Sequence, residues 1–137
     1  MVTIKILIVD GYNTMDGFGI MKRVDRKEIT LGEGRGRLVE ILNTLNKKNR
    51  ETVLVFDGIP MENWIRFNRI EIENLKVVFT EEESADDFIE KIADRNSIVI
   101  TLDKELKRCL RKTETIVLPP EWLFVDRNSN KKRRILI

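Results

Sequence analysis

Ile6-Leu-Ile-Val-Asp-Gly-Tyr-Asn13 is the stretch on which the reading of this chain turns. Four apolar residues in succession, then an acid and a glycine, describe a strand that ends in a sharp turn. A half-exposed strand would alternate polar and apolar residues, whereas a strand covered on both faces reads as an unbroken apolar run. The same texture recurs downstream, so the expected strands cover residues 4–9, 53–56, 75–79, 98–101 and 116–118. Between them lie helical patterns. Leu38, Val39, Ile41, Leu42 and Leu45 recur at helical spacing, as do Phe88, Ile89 and Ile92. Leu106 and Leu110 sit four apart on a third helix, whose other side carries Lys104, Lys107, Arg108 and Arg111. Strand–helix alternation of this kind predicts an α/β domain with a mostly parallel sheet.

Two stretches resist this reading. Residues 11–36 hold six glycines and five bases, and read as a long loop of functional rather than connective length. Residues 58–74 fit a short helix followed by extended chain, or a hairpin, equally well. Pro119 and Pro120 close the last strand, and 121–125 suggests one more helical turn.

With 137 residues and 16.1 kDa the chain fits one domain, expected over 1–126, followed by a basic tail over 127–137. The tail holds Arg127, Lys131, Lys132, Arg133 and Arg134 and no acid. The other twenty bases face all twenty-three acids, so a slightly acidic body carries a tail suited to a polyanion. A solvated terminus explains the tail equally well. No apolar run reaches the roughly 18 residues of a membrane helix, and the N-terminus lacks the order of a signal peptide. The expectation is a cytoplasmic protein without membrane contact. Its oligomeric state is left open, a homodimer being one option.

Absent residues narrow the chemistry. The chain has one cysteine, Cys109, and no histidine. That excludes an internal disulfide, a multi-cysteine zinc site, the Ser-His-Asp triad and the Cys-His pair. An enzyme built from this chain works with carboxylates, lysines, hydroxyls or a metal held by oxygen, and oxygen donors favour Mg²⁺, Mn²⁺ or Ca²⁺. The acids are placed accordingly. Asp10 and Asp57 end strands, Asp103 follows one closely, and Asp86 and Asp87 open a helix. In an open α/β sheet all five fall on the edge where ligands bind. Carboxylates crowded there repel one another unless a cation neutralises them. Singly, each has a structural explanation: Asp10, Asn13 and Asp57 suit turns, and Ser84-Ala-Asp-Asp87 has capping-box spacing. The glycines form neither a P-loop nor a dinucleotide fingerprint, and no Gly-x-Ser-x-Gly elbow exists.

Taken in order, Ile6-Leu-Ile-Val-Asp-Gly-Tyr-Asn13, Val53-Leu-Val-Phe-Asp-Gly58, Glu83-Ser-Ala-Asp-Asp-Phe-Ile89 and Val99-Ile-Thr-Leu-Asp103 resemble the NYN domain of the PIN-like nuclease superfamily, nearest to bacterial YacP-type proteins. The resemblance implies a three-layer PIN-like fold with strand order 3-2-1-4-5 and helices on both faces. It implies a metal-dependent endoribonuclease that hydrolyses RNA phosphodiester bonds, with messenger RNA on ribosomes as a further implied target. The family's acids fall on Asp10, Asp86 and Asp103, with Asp87 as an adjacent ligand, Mg²⁺ or Mn²⁺ as cofactor, and Asn13 placing a water or a phosphate oxygen. Asp57 stands one layer behind. Lys107 occupies a place where some relatives carry another acid, which implies a leaner site. RNA phosphates would meet Lys22, Arg23, Arg26, Arg35, Arg37 and Lys104 with the tail bases Lys131, Lys132, Arg133 and Arg134, while Tyr12 or Trp64 would stack on a base. The alternative is a non-catalytic RNA- or ribosome-binding module on the same fold.

Overall fold

The computed structural model describes residues 6–45, 50–59 and 74–125. Strand β1 (Ile6–Asp10) runs through the centre of a five-stranded sheet. Its neighbours are β2 (Glu51–Asp57) and β4 (Ser97–Ile100), with β3 (Leu75–Thr80) and β5 (Ile116–Leu118) outermost, giving the order 3-2-1-4-5. All four pairings are parallel. The register sets Asp10 opposite Val55 and Val9 opposite Ile100, so the strands end together along one edge. The three central strands are buried almost throughout, and the two outer ones only in part. That difference is why the central runs read as unbroken apolar sequence.

Alternation along the strands divides the core in two. Leu7, Val9, Leu54, Phe56, Ile98 and Ile100 face helices α1 (Gly11–Gly17), α2 (Ile20–Asp25) and α3 (Leu31–Leu45), with Leu123 beneath them. Ile8, Val53, Val55 and Val99 face α4 (Ala85–Ile92) and α5 (Lys104–Leu110), which contribute Ala85, Ile89, Leu106 and Leu110. A single 3₁₀ turn, Arg111–Thr113, prolongs α5. The result is a three-layer α/β fold.

The expected loop over 11–36 is instead two short helices and the first turns of α3. Its glycines serve close packing rather than flexibility. A Cβ on Gly11 would lie 2.4 Å from the Phe56 ring, so only glycine lets α1 begin against that side chain. At Gly34 it would meet Met15 Cε at 2.8 Å, where α3 crosses the first two helices. Helix α3 starts on a reciprocal cap. Thr30 Oγ1 accepts the Glu33 amide at 3.0 Å, and Glu33 Oε1 accepts the Thr30 amide at 2.8 Å. Trp64 and most of the ambiguous 58–74 stretch lie outside the described residues, as do the tail bases.

Candidate active site

The carboxylates belong to the layer of α4 and α5. Asp10 continues the row of Ile8 and Asp57 the row of Val53 and Val55, so both turn toward that side at the strand ends. Helix α4 opens beside them because Ser84 Oγ accepts the Asp87 amide at 3.0 Å and Asp57 Oδ1 accepts the Ala85 amide at 2.6 Å. Asp57 thus fixes the helix that carries Asp86. Asp86 and Asp87 are consecutive helical residues and diverge by about 100°. Asp86 is half-buried and Asp87 exposed.

Asp103 caps α5, its Oδ1 accepting the amides of Glu105 at 2.9 Å and Leu106 at 3.1 Å. Its second oxygen takes no part in the cap. The strand expected to end at residue 101 ends at Ile100, which leaves Thr101 just past the sheet. The buried Thr101 hydroxyl donates to Asp10 Oδ2 at 2.8 Å and accepts the Asp103 amide at 3.1 Å. One side chain therefore ties two of the expected acids together. Its sequence signal is the hydroxyl residue two places before Asp103 at a strand end, a pattern to which the sequence alone assigned no role.

Asn13, on the first turn of α1, accepts the Leu102 amide through Oδ1. Its own NH₂ group stays available as a donor at the same edge. Asp10 is 7% exposed. Burial raises its pKa from 3.8 to about 6; the Thr101 bond opposes this, and the charges of Asp86, Asp103 and Asp57 add to it. Burial also raises Asp86, reinforced by Asp103 and Asp57. Among the described residues, the neighbouring charges that push these two acids up are carboxylates, those of Asp57, Asp86, Asp87 and Asp103. Hard oxygen donors that raise one another's proton affinity fit a divalent cation. Among the described residues, no three acids yet stand in ready ligand geometry. The Asp86 and Asp103 side chains nevertheless meet at hydrogen-bond range, and this contact also raises Asp86.

The expected RNA contacts separate into different environments. Lys22, Arg26 and Arg37 are exposed on or beside α2 and α3, in the layer opposite the acids. Arg23 pairs with Glu28 at 3.2 Å and shares a groove with Arg37, Phe18 and Ile41. Arg35 corrects the reading. It is 4% exposed, and its Nε and Nη2 donate to the Tyr12 hydroxyl at 2.9 and 2.5 Å. Its guanidinium lies 5.5 to 5.8 Å from the ring centres of Tyr12, Phe56 and Phe79. An arginine held among three rings is unavailable to a phosphate. Tyr12 is likewise committed to this packing, 4.9 Å from Phe56 between centroids.

A family model described as the YacP-like NYN domain matches residues 7–134. Two crystal structures of Rae1 (YacP) from Bacillus subtilis share the fold. A mutant form superposes with a TM-score of 0.68 at 23% identity, covering 94% of this chain and 78% of that one. The other form gives 0.65 at 20% identity, covering 94% and 76%. No curated protein matches the sequence.

Proposed function

This chain belongs to the YacP-like NYN domain family, and from that premise we propose that it is a metal-dependent endoribonuclease. The family is one of RNase-type nuclease domains, so RNA is the substrate class. The observation that carries the reading is the buried Asp10 at the end of the central strand, tied through Thr101 to Asp103 and repelled by Asp86. That charge balance calls for an external cation rather than a neighbouring base.

Asp10, Asp86 and Asp103 would hold Mg²⁺ or Mn²⁺, with Asp87 flanking them and Asp57 fixing α4 behind. When bound, such an ion activates water and offsets the charge that develops on the phosphate. The chain's own groups bind and orient. Asp103 keeps one oxygen on the α5 cap and would offer the other to the ion. Thr101 restrains Asp10, and the Asn13 NH₂ donates to a water or phosphate oxygen. The reading extends by family resemblance to messenger RNA on ribosomes and to a cytoplasmic setting. No helix among the described residues is long and apolar enough to cross a membrane.

The second reading, a non-catalytic RNA-binding module, draws on the acids not yet standing in ligand geometry. One experiment separates the two. RNA incubated with the protein and Mn²⁺ is cut, the cutting stops in chelator, and Asp10→Asn, Asp86→Asn and Asp103→Asn each remove it. Retained cleavage in those variants would defeat the assignment, and no cleavage by the wild type would favour the binding module.

A further inference from the structure

Helix α5 descends from the carboxylate cluster, since its N-cap is Asp103 itself. Between 104 and 112 it and its 3₁₀ turn carry five bases and one acid. That acid, Glu105, already binds Arg108. Lys104, Lys107, Arg108 and Arg111 recur at spacings of three and four, so they form one stripe, and all are exposed with Lys112 beyond them. The opposite stripe, Leu106 and Leu110, is buried in the core. Among the described residues, no carboxylate pairs with Lys104, Lys107, Arg111 or Lys112.

The neighbouring helix has the opposite sign. Glu81 and Glu82 in the preceding loop and Asp87 and Glu90 on α4 are exposed acids. The two helices pack against each other, so the acid cluster opens onto one acidic and one basic wall. Five of the twenty bases of a body that is acidic as a whole lie within the nine residues that start at the cluster, and this local excess over one acid is what a solvated helix surface does not require. From 104 to 111 the stripe spans about 10 Å along the helix, room for about three phosphates of one strand. The bases of α2 and α3 lie in the opposite layer and cannot serve the same stretch of backbone.

We propose that the outer face of α5 and its 3₁₀ turn is the track along which single-stranded RNA runs to or from the cluster, its phosphates on Lys104, Lys107, Arg111 and Lys112 and kept off α4 by the acids there. The inference rests on the nuclease reading above and adds the substrate path.

The test compares two double charge reversals of equal net charge. Lys107→Glu with Arg111→Glu disrupts the stripe, and Lys91→Glu with Arg95→Glu alters exposed bases on α4 and the turn after it. Affinity for a labelled oligouridine is measured in chelator at several salt concentrations, with melting curves on every protein and the milder Lys107→Gln with Arg111→Gln beside them. At about 50 mM salt the stripe variant should bind about tenfold more weakly for each phosphate it no longer holds, and its slope of log affinity against log salt should flatten by about 0.7 per phosphate. The milder pair should follow with unchanged melting, and the α4 pair should stay near wild type. Equal losses in both reversals would reduce the effect to net charge and overturn the track. Unchanged binding in the stripe variants, or no binding by the wild type, would overturn it too. If the stripe governs binding while the wild type with Mn²⁺ leaves RNA intact, the track stands and the hydrolase reading falls.

Discussion

Asp10→Asn should stabilise the metal-free protein. The wild-type carboxyl is 7% exposed and is raised from 3.8 to about 6, chiefly by burial. A shift of that size corresponds to about 3 kcal/mol, at about 1.4 kcal/mol per tenfold change in proton affinity. The folded state binds this proton more tightly than the unfolded chain, so stability falls as pH rises. The penalty is absent below pH 3.8, builds between 3.8 and about 6, and is complete above that. An asparagine removes the charge, keeps an oxygen for the Thr101 hydroxyl and brings an NH₂ toward Asp86 and Asp103. At pH 8 in chelator the variant should therefore gain up to about 3 kcal/mol, which for a chain of this length is about 10 °C in melting temperature. At pH 4 the two proteins should melt nearly together. Melting curves of both proteins from pH 4 to 8 in chelator measure the difference directly. A variant that melts at or below wild type throughout would refute the claim that burial and repulsion hold an uncompensated charge at this site.

Saturating Mn²⁺ should stabilise wild type, by about 2.7 kcal/mol at a hundred times its dissociation constant, and should leave Asp10→Asn nearly unmoved in the same melting assay. Tyr12→Phe deletes the acceptor of two buried guanidinium donors and should cost about 2 to 4 kcal/mol in urea unfolding; a loss under about 0.5 kcal/mol would mean that the rings alone hold Arg35. Ser84→Ala removes the α4 cap and should cost about 1 kcal/mol, with weaker Mn²⁺ affinity because Asp86 rides on that first turn. Replacing Lys131, Lys132, Arg133 and Arg134 with glutamine should flatten the salt dependence of RNA binding by about 0.7 for each phosphate the tail no longer neutralises, while cleavage at saturating RNA persists. Lower stability with an unchanged slope would instead assign the tail to packing.

The strands were legible in the sequence because burial on both faces leaves an unbroken apolar run, as in Leu7 to Val9 and Val53 to Phe56. The placement of Asp10, Asp57, Asp86 and Asp103 along one edge followed from those strands and from the rule that parallel sheets bind at their carboxyl ends. Helices α1 and α2 were not legible. At seven and six residues they are too short to stand alone, and packing against Phe56 and around Met15 holds them, through neighbours that local sequence does not display. Arg35 shows the same limit: among glycines and bases it reads as a surface cation, yet rings from residues 12, 56 and 79 enclose it. Thr101 acquires its role only because β4 lies beside β1, which brings its hydroxyl to a carboxylate 91 positions earlier. Residue type fixed which groups can meet a cation, while the raised proton affinity of Asp10 was decided by burial and by acids distant in sequence, since both depend on separation in space.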